Sequence, residues 1–185
     1  MKGRGAIRCT GSLGDVMKES CEAAVSWIRT NSKDFGIDDK FFSSNDIHIH
    51  FPSGAVPKDG PSAGVTITTA LVSLITKIPV RKEVAMTGEI SLLGKVLPIG
   101  GLKEKALAAM RFGIHTVVIP FRNEKDLAEI PDEYKAQLTF KPVKNVREVL
   151  EIALTSSPFK GAAKKVSGSG GNKGGGMSKL PAAAS

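Results

Sequence analysis

A run of apolar residues at helical spacing begins at Ser62, directly after a turn-rich segment that runs from Pro52 to Pro61. A helix that is apolar on most of its sides has to be buried. Pro79 marks the point that this helix cannot pass. The pattern therefore predicts a buried helix that starts near Ser62. Its apolar members are Ala63, Val65, Ile67, Ala70, Leu71, Leu74 and Ile75.

Other segments carry helix signals of their own. Apolar residues at three- and four-residue spacing predict an amphipathic helix over 13–31, with Ser12 as a candidate N-cap. A second helix opens after Gly100-Gly101, runs to about Phe112 and stops at Gly113. Shorter helices are predicted at 124–129 and at 146–154, the latter capped by Asn145.

Short strands are predicted between these helices. Residues 46–51 alternate between apolar and polar side chains, and residues 115–119 are rich in β-branched ones. Further strand signals lie at 6–10, and at 84–89 and 91–99 around a turn at Gly94-Lys95. Together these patterns predict an α+β fold in which helices pack on small β-sheets.

The composition fits one compact domain with an aliphatic core. The chain has 185 residues, of which 41% are hydrophobic and 5% aromatic. No stretch approaches the ~18–20 continuous apolar residues of a membrane span, and the segment after Met1 lacks the apolar run of a signal peptide. Cys9 and Cys21 lack C-x-x-C spacing, which argues against a zinc site and a disulfide scaffold. A reducing compartment is expected, and no membrane partner.

The positive charge is concentrated at the C-terminal end. The formal net charge is +8, yet no acidic residue follows Glu151. The residues from about 161 onward are rich in Gly, Ser, Ala and Lys, a composition that cannot bury enough apolar area to become ordered. We therefore divide the chain into a domain at 1–158 and a flexible tail at 159–185. Any nucleic-acid binding would depend on the tail lysines, which are Lys160, Lys164, Lys165, Lys173 and Lys179.

The densest signal for chemistry is the segment Pro57-Lys58-Asp59-Gly60-Pro61-Ser62-Ala63-Gly64, where an extended loop meets the predicted helix. The first turn of a helix has unpaired N–H groups and a partial positive charge, which can stabilise an oxyanion beside a serine. The glycines allow close approach of a substrate. Ser62 is therefore a candidate nucleophile, although the segment is equally consistent with a serine that only caps a buried helix.

The spacing Gly60-x-Ser62-x-Gly64 also matches the nucleophile elbow of α/β-hydrolases. That pattern is loose, and the hydrolase fold requires an acid and then a histidine downstream. Only His115 follows Ser62, and too little chain remains for the usual hydrolase sheet. The hydrolase interpretation is therefore disfavoured.

A lysine can replace histidine as the base of a serine enzyme. Free lysine is a poor base at neutral pH, but burial in apolar surroundings lowers the pKa of lysines. Lys105 lies in the first turns of a predicted helix, next to Leu102, Ala108 and Ala109 at helical spacing, whereas Lys103 points elsewhere. Lys105 is therefore the candidate base, although most helical lysines simply face water.

Five segments follow one another along the chain as recognisable motifs. They are Thr10-Gly11-Ser12-Leu13-Gly14-Asp15-Val16-Met17-Lys18-Glu19-Ser20, then Pro57 to Gly64, Thr87-Gly88-Glu89, Leu97-Pro98-Ile99-Gly100-Gly101-Leu102-Lys103-Glu104-Lys105, and Val117-Val118-Ile119-Pro120. In this order they closely resemble the peptidase domain of Lon proteases. The resemblance covers roughly residues 3–155, and the form of 57–64 resembles that of the bacterial and organellar branch.

The resemblance implies roles for particular residues. Ser62 matches the family nucleophile, Lys105 matches the catalytic lysine, and Thr87 matches a threonine whose hydroxyl contacts the lysine amine and orients it. These three residues would form a serine–lysine catalytic site.

The matched motifs also include four supporting residues, Asp59, Gly60, Pro61 and Glu89. A definite role can be suggested for Asp59, because a carboxylate near Lys105 would favour the charged form of the lysine. In this hypothesis the loop that carries Asp59 acts as a gate.

The resemblance further implies a serine endopeptidase that hydrolyses unfolded or misfolded proteins and works as a hexamer with an ATPase part. The phosphate loop G-x-x-x-x-G-K-[ST] is missing, so we expect ATP and Mg²⁺ to bind to a part outside this chain. The expected location is the bacterial cytoplasm, with the mitochondrial matrix or the peroxisome as alternatives. The competing class is a non-enzymatic module whose basic tail binds nucleic acid or a partner.

His48 and His50 share one strand face, which is a spacing that a metal ion can use. No nearby cysteine or carboxylate completes a set of ligands. No metal site is predicted, and a serine–lysine mechanism requires none.

Overall fold

The computed structural model describes residues 1–52 and 56–160. Its α-helices are α1 (Asp15–Thr30), α2 (Phe41–Ser44), α3 (Gly64–Thr76), α4 (Leu102–Arg111), α5 (Asp132–Lys135) and α6 (Val146–Ala153). Its strands are β1 (Ile7–Thr10), β2 (Ile47–His50), β3 (Val84–Met86), β4 (Glu89–Ile90), β5 (Val96–Leu97), β6 (Thr116–Pro120) and β7 (Thr139–Val143). Short 3₁₀ helices lie at Ser32–Phe35, Pro61–Ala63 and Phe121–Glu129. None of the helices in this described part combines the length and apolarity that crossing a membrane would require.

The described strands form small sheets. Strands β1 and β2 pair in parallel, β4 and β5 pair in antiparallel fashion, and β6 lies between β3 and β7 in a parallel sheet. Helices and small sheets share the same cores, so the α+β prediction is confirmed. The predicted tail lies, from residue 161 onward, outside the described residues.

Helix α1 begins at Asp15, and its N-cap is Gly14, which has no side chain to offer. Ser12 lies before the helix with a φ of 55°. The prediction of Ser12 as the cap is therefore wrong, because Ser12 takes a left-handed turn that leads the chain into the helix. The helix packs against α3. Its buried residues are Met17, Ser20, Cys21, Ala24, Val25, Trp27 and Ile28.

Helix α3 lies within the larger core, as its apolar pattern predicts. Val65 and Val72 are fully buried, and the helix contacts both α1 and α6. One edge of the helix is nevertheless open, since Leu74 is 63% exposed. The helix ends at Thr76, and Lys77 takes a left-handed φ of 63° before Pro79.

Strand β6 separates two hydrophobic clusters. Val118 packs in the core formed by α1, α3 and α6, whereas Val117 and Ile119 pack against Leu102 and Ala106 of α4. Successive side chains of a strand point to opposite faces, so β6 is buried on both sides. Each such side chain stabilises the fold by about 1.5–3 kcal/mol relative to an exposed one. The β6 sheet thereby places α3 and α4 on its two faces.

The segment predicted as one strand at 84–89 belongs to two sheets. Strand β3 pairs with β6, whereas β4 pairs with β5. Thr87 and Gly88 connect the two strands, and a Cβ on Gly88 would lie 2.8 Å from the Val96 side chain. The glycine therefore permits the close approach of β5 at the point where the chain changes sheets.

Helix ends at α4 and α6 follow their sequence signals. Asn145 caps α6 by accepting the Glu148 backbone N–H at 3.1 Å, as predicted. Gly113, just after α4, has the left-handed φ of 68° that favours glycine at a helix end.

Strand β7 and the short helices α2 and α5 were not predicted from the sequence. Strand β7 contains Pro142, which argues against a central strand. It lies at the edge of its sheet, where a missing N–H is tolerated. Only the sheet order reveals that this position is an edge.

Candidate active site

Ser62 lies in the 3₁₀ turn Pro61–Ala63 that leads into α3. Its carbonyl accepts the Gly88 backbone N–H at 2.9 Å and the Thr87 hydroxyl at 3.3 Å. The Val65 N–H in turn donates to the Gly88 carbonyl at 3.1 Å. These bonds fix the start of the helix on the junction between β3 and β4.

Gly60 and Pro61 shape the approach to Ser62. Gly60 has a φ of 114° and a ψ of 157°, a region that is essentially restricted to glycine. A Cβ on Gly60 would meet no atom within 4 Å, so there is room for a side chain. Glycine is required at this position only by the backbone conformation. Pro61 occupies the first turn, where its missing N–H costs no helical hydrogen bond.

Lys105 lies in the first turn of α4 and is half-buried. Its amine donates a hydrogen bond to the Gly100 carbonyl at 3.1 Å. Gly101 follows as the N-cap of α4, with a left-handed φ of 68° and ψ of 38°. This glycine turn holds the Gly100 carbonyl within reach of the Lys105 amine.

A pocket of about 240 Å³ brings Ser62, Thr87 and Lys105 together. They come from three separate places in the sequence: the start of α3, the junction between β3 and β4, and the first turn of α4. A hydroxyl nucleophile, an amine and a buried threonine on one mostly apolar wall suit acyl transfer with the amine as base. The remaining lining residues are Ala63, Thr66, Ala85, Met86 and Val117.

A protein-family model matches residues 1–156 of this chain, and its description is the Lon protease (S16) C-terminal proteolytic domain. The chain belongs to the Lon protease family. The resemblance of its motifs to that family is thereby confirmed.

Curated Lon proteases match the chain closely. The Lon protease of Geobacter metallireducens is 60% identical over 158 residues, which are 85% of this chain and 19% of that protein. The Lon protease of Brevibacillus choshinensis is 58% identical over 158 residues, 85% of this chain and 20% of the relative. That of Chloroflexus aggregans is 54% identical over 181 residues, 98% of this chain and 22% of the relative. The chain thus spans about a fifth of the length of these relatives.

Asp59 lies beside the pocket of this Lon-type domain and does not line it. Its Oδ1 accepts the backbone N–H of Met17 at 2.9 Å and that of Gly60 at 2.9 Å. In the described ranges 1–52 and 56–160, no ion pair joins Asp59 to Lys105. The carboxylate contacts the start of α1 in this structure.

Glu89 also lies outside the pocket. It belongs to β4 and pairs with Leu97 of β5, and its side chain is half-buried. The structure therefore brings together Ser62, Thr87 and Lys105, while Glu89 belongs to the neighbouring hairpin.

The histidines lie away from the pocket. The Thr10 hydroxyl is 2.9 Å from His48 Nε2 and 2.8 Å from His50 Nδ1. His115 Nδ1 is 3.1 Å from the Gln137 carbonyl, so the hydrolase interpretation, which needs His115 beside Ser62, does not fit. Among the described residues, no group of three or more His, Cys, Asp or Glu side chains could hold a metal ion.

Two main-chain groups of the site were missed by the sequence analysis. They are the Gly88 N–H, which holds Ser62, and the Gly100 carbonyl, which holds Lys105. The glycines themselves stand in the motifs Thr87-Gly88-Glu89 and Gly100-Gly101. These motifs were the sequence feature that could have indicated the two main-chain groups. Ala85 carried no signal, and the motif that contains Val117 did not mark it as a pocket residue, because the place of both in the wall depends on the pairing of β3 with β6.

Proposed function

We propose that this domain is a serine endopeptidase that hydrolyses peptide bonds of unfolded or misfolded proteins. The observation that carries the proposal is the pocket shared by Ser62, Thr87 and Lys105, in a chain whose residues 1–156 match the Lon proteolytic domain. Ser62 is the nucleophile in this proposal, and Lys105 is the general base.

The reaction proceeds through an acyl-enzyme. The neutral amine of Lys105 takes the hydroxyl proton of Ser62 while the oxygen attacks the scissile carbonyl carbon. The C–N bond then breaks, and the proton passes from Lys105 to the leaving amine. A water molecule, deprotonated by the same lysine, hydrolyses the ester and restores Ser62.

Lys105 has to change its hydrogen-bond acceptor during this cycle. Its amine donates to the Gly100 carbonyl at 3.1 Å, and the Ser62 hydroxyl belongs to the same pocket. The lysine side chain has four rotatable C–C bonds, and their rotation is the proposed route for this exchange. The Thr87 hydroxyl, which donates to the Ser62 carbonyl at 3.3 Å, lines the same pocket, and its oxygen can accept a hydrogen bond from the reoriented lysine amine.

The backbone around Ser62 supplies the donors for the oxyanion. The first turn of a helix has N–H groups that its own hydrogen bonds do not use, and Ser62 lies in such a turn. Donors held in place before the reaction stabilise the developing charge without reorganisation.

We further propose that the domain works within a longer, ATP-dependent homo-oligomer, a hexamer. The chain spans about a fifth of its curated relatives, which supports a longer protein, and the resemblance to the Lon family implies the ATP-dependent hexamer. ATP and Mg²⁺ would bind to the part outside this chain. Residues 1–158 would be the peptidase domain, and the tail at 159–185 would be an accessory with weak nucleic-acid affinity. The bacterial cytoplasm is the proposed location, with the mitochondrial matrix or the peroxisome as alternatives.

The test measures cleavage of an unfolded protein without ATP by the wild type, Ser62→Ala and Lys105→Ala. Lys103→Ala is the matched control, because Lys103 lies on the same helix and does not line the pocket. We expect Lys105→Ala to lose about 10²–10⁴-fold in rate and Ser62→Ala to lose at least as much, because it cannot form the acyl-enzyme. Lys103→Ala should stay near the wild type. Equal activities of Lys105→Ala and Lys103→Ala would remove the lysine from the mechanism.

Deletion of residues 161–185 tests the tail separately. We expect peptide hydrolysis to persist and nucleic-acid binding to disappear. If neither form hydrolyses peptide bonds while the full chain binds nucleic acid, the binding-module alternative is correct.

A further inference from the structure

The segment that precedes Ser62 is docked on the N-terminal end of α1. The Lys58 backbone N–H donates to the Ser12 carbonyl at 3.0 Å, and the Gly14 N–H donates to the Lys58 carbonyl at 2.8 Å. One residue further along, Asp59 Oδ1 accepts the Met17 N–H at 2.9 Å. Two stretches that are far apart in sequence are thus joined by three hydrogen bonds.

Asp59 supplies a hydrogen-bond acceptor at the start of α1 that the N-cap residue of this helix, Gly14, cannot supply. The first N–H groups of a helix lack partners within the helix, and Gly14 has no side chain to accept from them. Asp59 provides the acceptor for the Met17 N–H, and its negative charge suits the positive end of the helix. The carboxylate is thereby held in a defined place although it is exposed.

Gly14 shows that this contact is close. Its φ of −71° and ψ of 173° are open to any residue, so the backbone conformation does not require glycine. A Cβ on Gly14 would, however, lie 2.2 Å from Asp59 Cγ and 2.3 Å from Oδ2. The absence of a side chain at Gly14 is what admits the Asp59 carboxylate.

A short stretch of backbone connects the docked Asp59 to Ser62. Asp59 Oδ1 also accepts the Gly60 N–H at 2.9 Å, and only Gly60 and Pro61 separate Asp59 from Ser62. On the other side, the Ser62 carbonyl is held by the Gly88 N–H at 2.9 Å. The backbone of Ser62 is therefore anchored on both sides, by α1 through Asp59 and by the β3–β4 junction.

We propose that Asp59 is a positioning residue that fixes Ser62 by docking the nucleophile loop on the N-terminal end of α1, in the space left by Gly14. This inference rests on the proposed function of Ser62. It differs from the hypothesis of an electrostatic gate, in which Asp59 acts on the protonation of Lys105. The docking role requires the Oδ1 acceptor of Asp59, whereas the gate role requires the negative charge of its carboxylate.

Asp59→Asn and Asp59→Ala separate the two roles, because asparagine keeps Oδ1 and loses the charge. The readouts are the rate constant for phosphonylation of Ser62 by a fluorophosphonate, in which the Ser62 oxygen displaces fluoride from phosphorus, its pH profile, and hydrogen exchange of the Met17 amide. We expect Asp59→Ala to slow phosphonylation about 10- to 100-fold, since small displacements of a nucleophile have effects of this size. We expect Asp59→Asn to slow it by about threefold or less, with an unchanged pH profile. The Met17 amide should exchange faster in Asp59→Ala alone.

Gly14→Ala provides an independent test from the other side of the contact. We expect it to slow phosphonylation of Ser62 in the wild-type background and to have a smaller effect in an Asp59→Gly background, where the atoms that the new methyl group meets are gone. Equal effects in both backgrounds would overturn the docking role.

The outcomes also distinguish this inference from the proposed function. A wild type that no fluorophosphonate labels at Ser62 would overturn the proposed function and the inference with it. A wild type that is labelled at Ser62, with equal losses in Asp59→Asn and Asp59→Ala and a shifted pH profile, would overturn the inference alone.

Discussion

The hydroxyl of Thr87 donates a hydrogen bond to the carbonyl oxygen of Ser62 at a distance of 3.3 Å. Thr87 is only 6% exposed, and the adjoining Gly88 N–H donates to the same carbonyl at 2.9 Å. The junction between β3 and β4 therefore holds the nucleophile turn through a side chain and a main-chain group at once.

Replacement of Thr87 by valine tests this hydroxyl, because valine keeps the shape and removes the donor. We expect Thr87→Val to lower the free energy of unfolding by about 1–2 kcal/mol and to reduce peptide cleavage. Thr87→Ser, which keeps the hydroxyl, is the control and should retain more activity. Urea unfolding and kcat/KM on a peptide substrate measure the two effects. Equal cleavage by both variants would show that the hydroxyl is not used.

Gly101 has a left-handed backbone conformation and lies next to the amine of Lys105. Its left-handed φ of 68° is tolerated by asparagine but poorly by β-branched residues. A Cβ there would lie 3.6 Å from Lys105 Nζ, an ordinary contact, so space does not forbid a side chain. We expect Gly101→Val to lose about 1–3 kcal/mol of stability and much of the cleavage rate, and Gly101→Asn to lose clearly less. Thermal unfolding and cleavage assays on the pair check this, and equal losses would argue against backbone strain.

Asp46 should make the stability depend on pH. The backbone N–H groups of Ala6 and Arg4 donate to its Oδ1 at 2.9 and 2.8 Å, and they lower the pKa of the Asp46 carboxyl. A lowered folded-state pKa stabilises the fold above the unfolded-state pKa of about 3.9, and this contribution is lost as the pH falls through the folded-state pKa. We expect the wild type to exceed Asp46→Asn in urea midpoint at neutral pH, and the gap to narrow below about pH 3.9. A gap that is independent of pH would rule out this carboxylate as its source.

Cys21 should resist alkylation in the folded protein. Its side chain is fully buried, and burial, followed by a hydrogen bond with Cys9, raises the pKa of the Cys21 thiol to about 12. The reactive thiolate is therefore scarce at about pH 8. We expect iodoacetamide to label Cys21 only after unfolding, while the partly exposed Cys9 reacts first. Mass spectrometry of the labelled peptides measures both rates, and equal rates in the folded protein would contradict the burial of Cys21.

Local patterns predicted much of the fold. The apolar periodicity of α1 and α3, the stop at Gly113 and the Asn145 cap all depend on interactions between residues close in sequence. The cap of α1 was predicted wrongly for the opposite reason. Its acceptor, Asp59, comes from a distant loop, and no pattern around Ser12 contains that information.

The sequence by itself determined the α+β class, the membership of the family and the identity of Ser62, Thr87 and Lys105 as candidates, because motifs and periodicity are properties of neighbouring residues. Only the tertiary structure decided that these three share one pocket, that strand 84–89 divides between two sheets, and that Asp59 contacts α1. The physical reason is that each of these facts depends on how separate elements pack. Strand β6, buried on both faces between α3 and α4, brings those elements to their places.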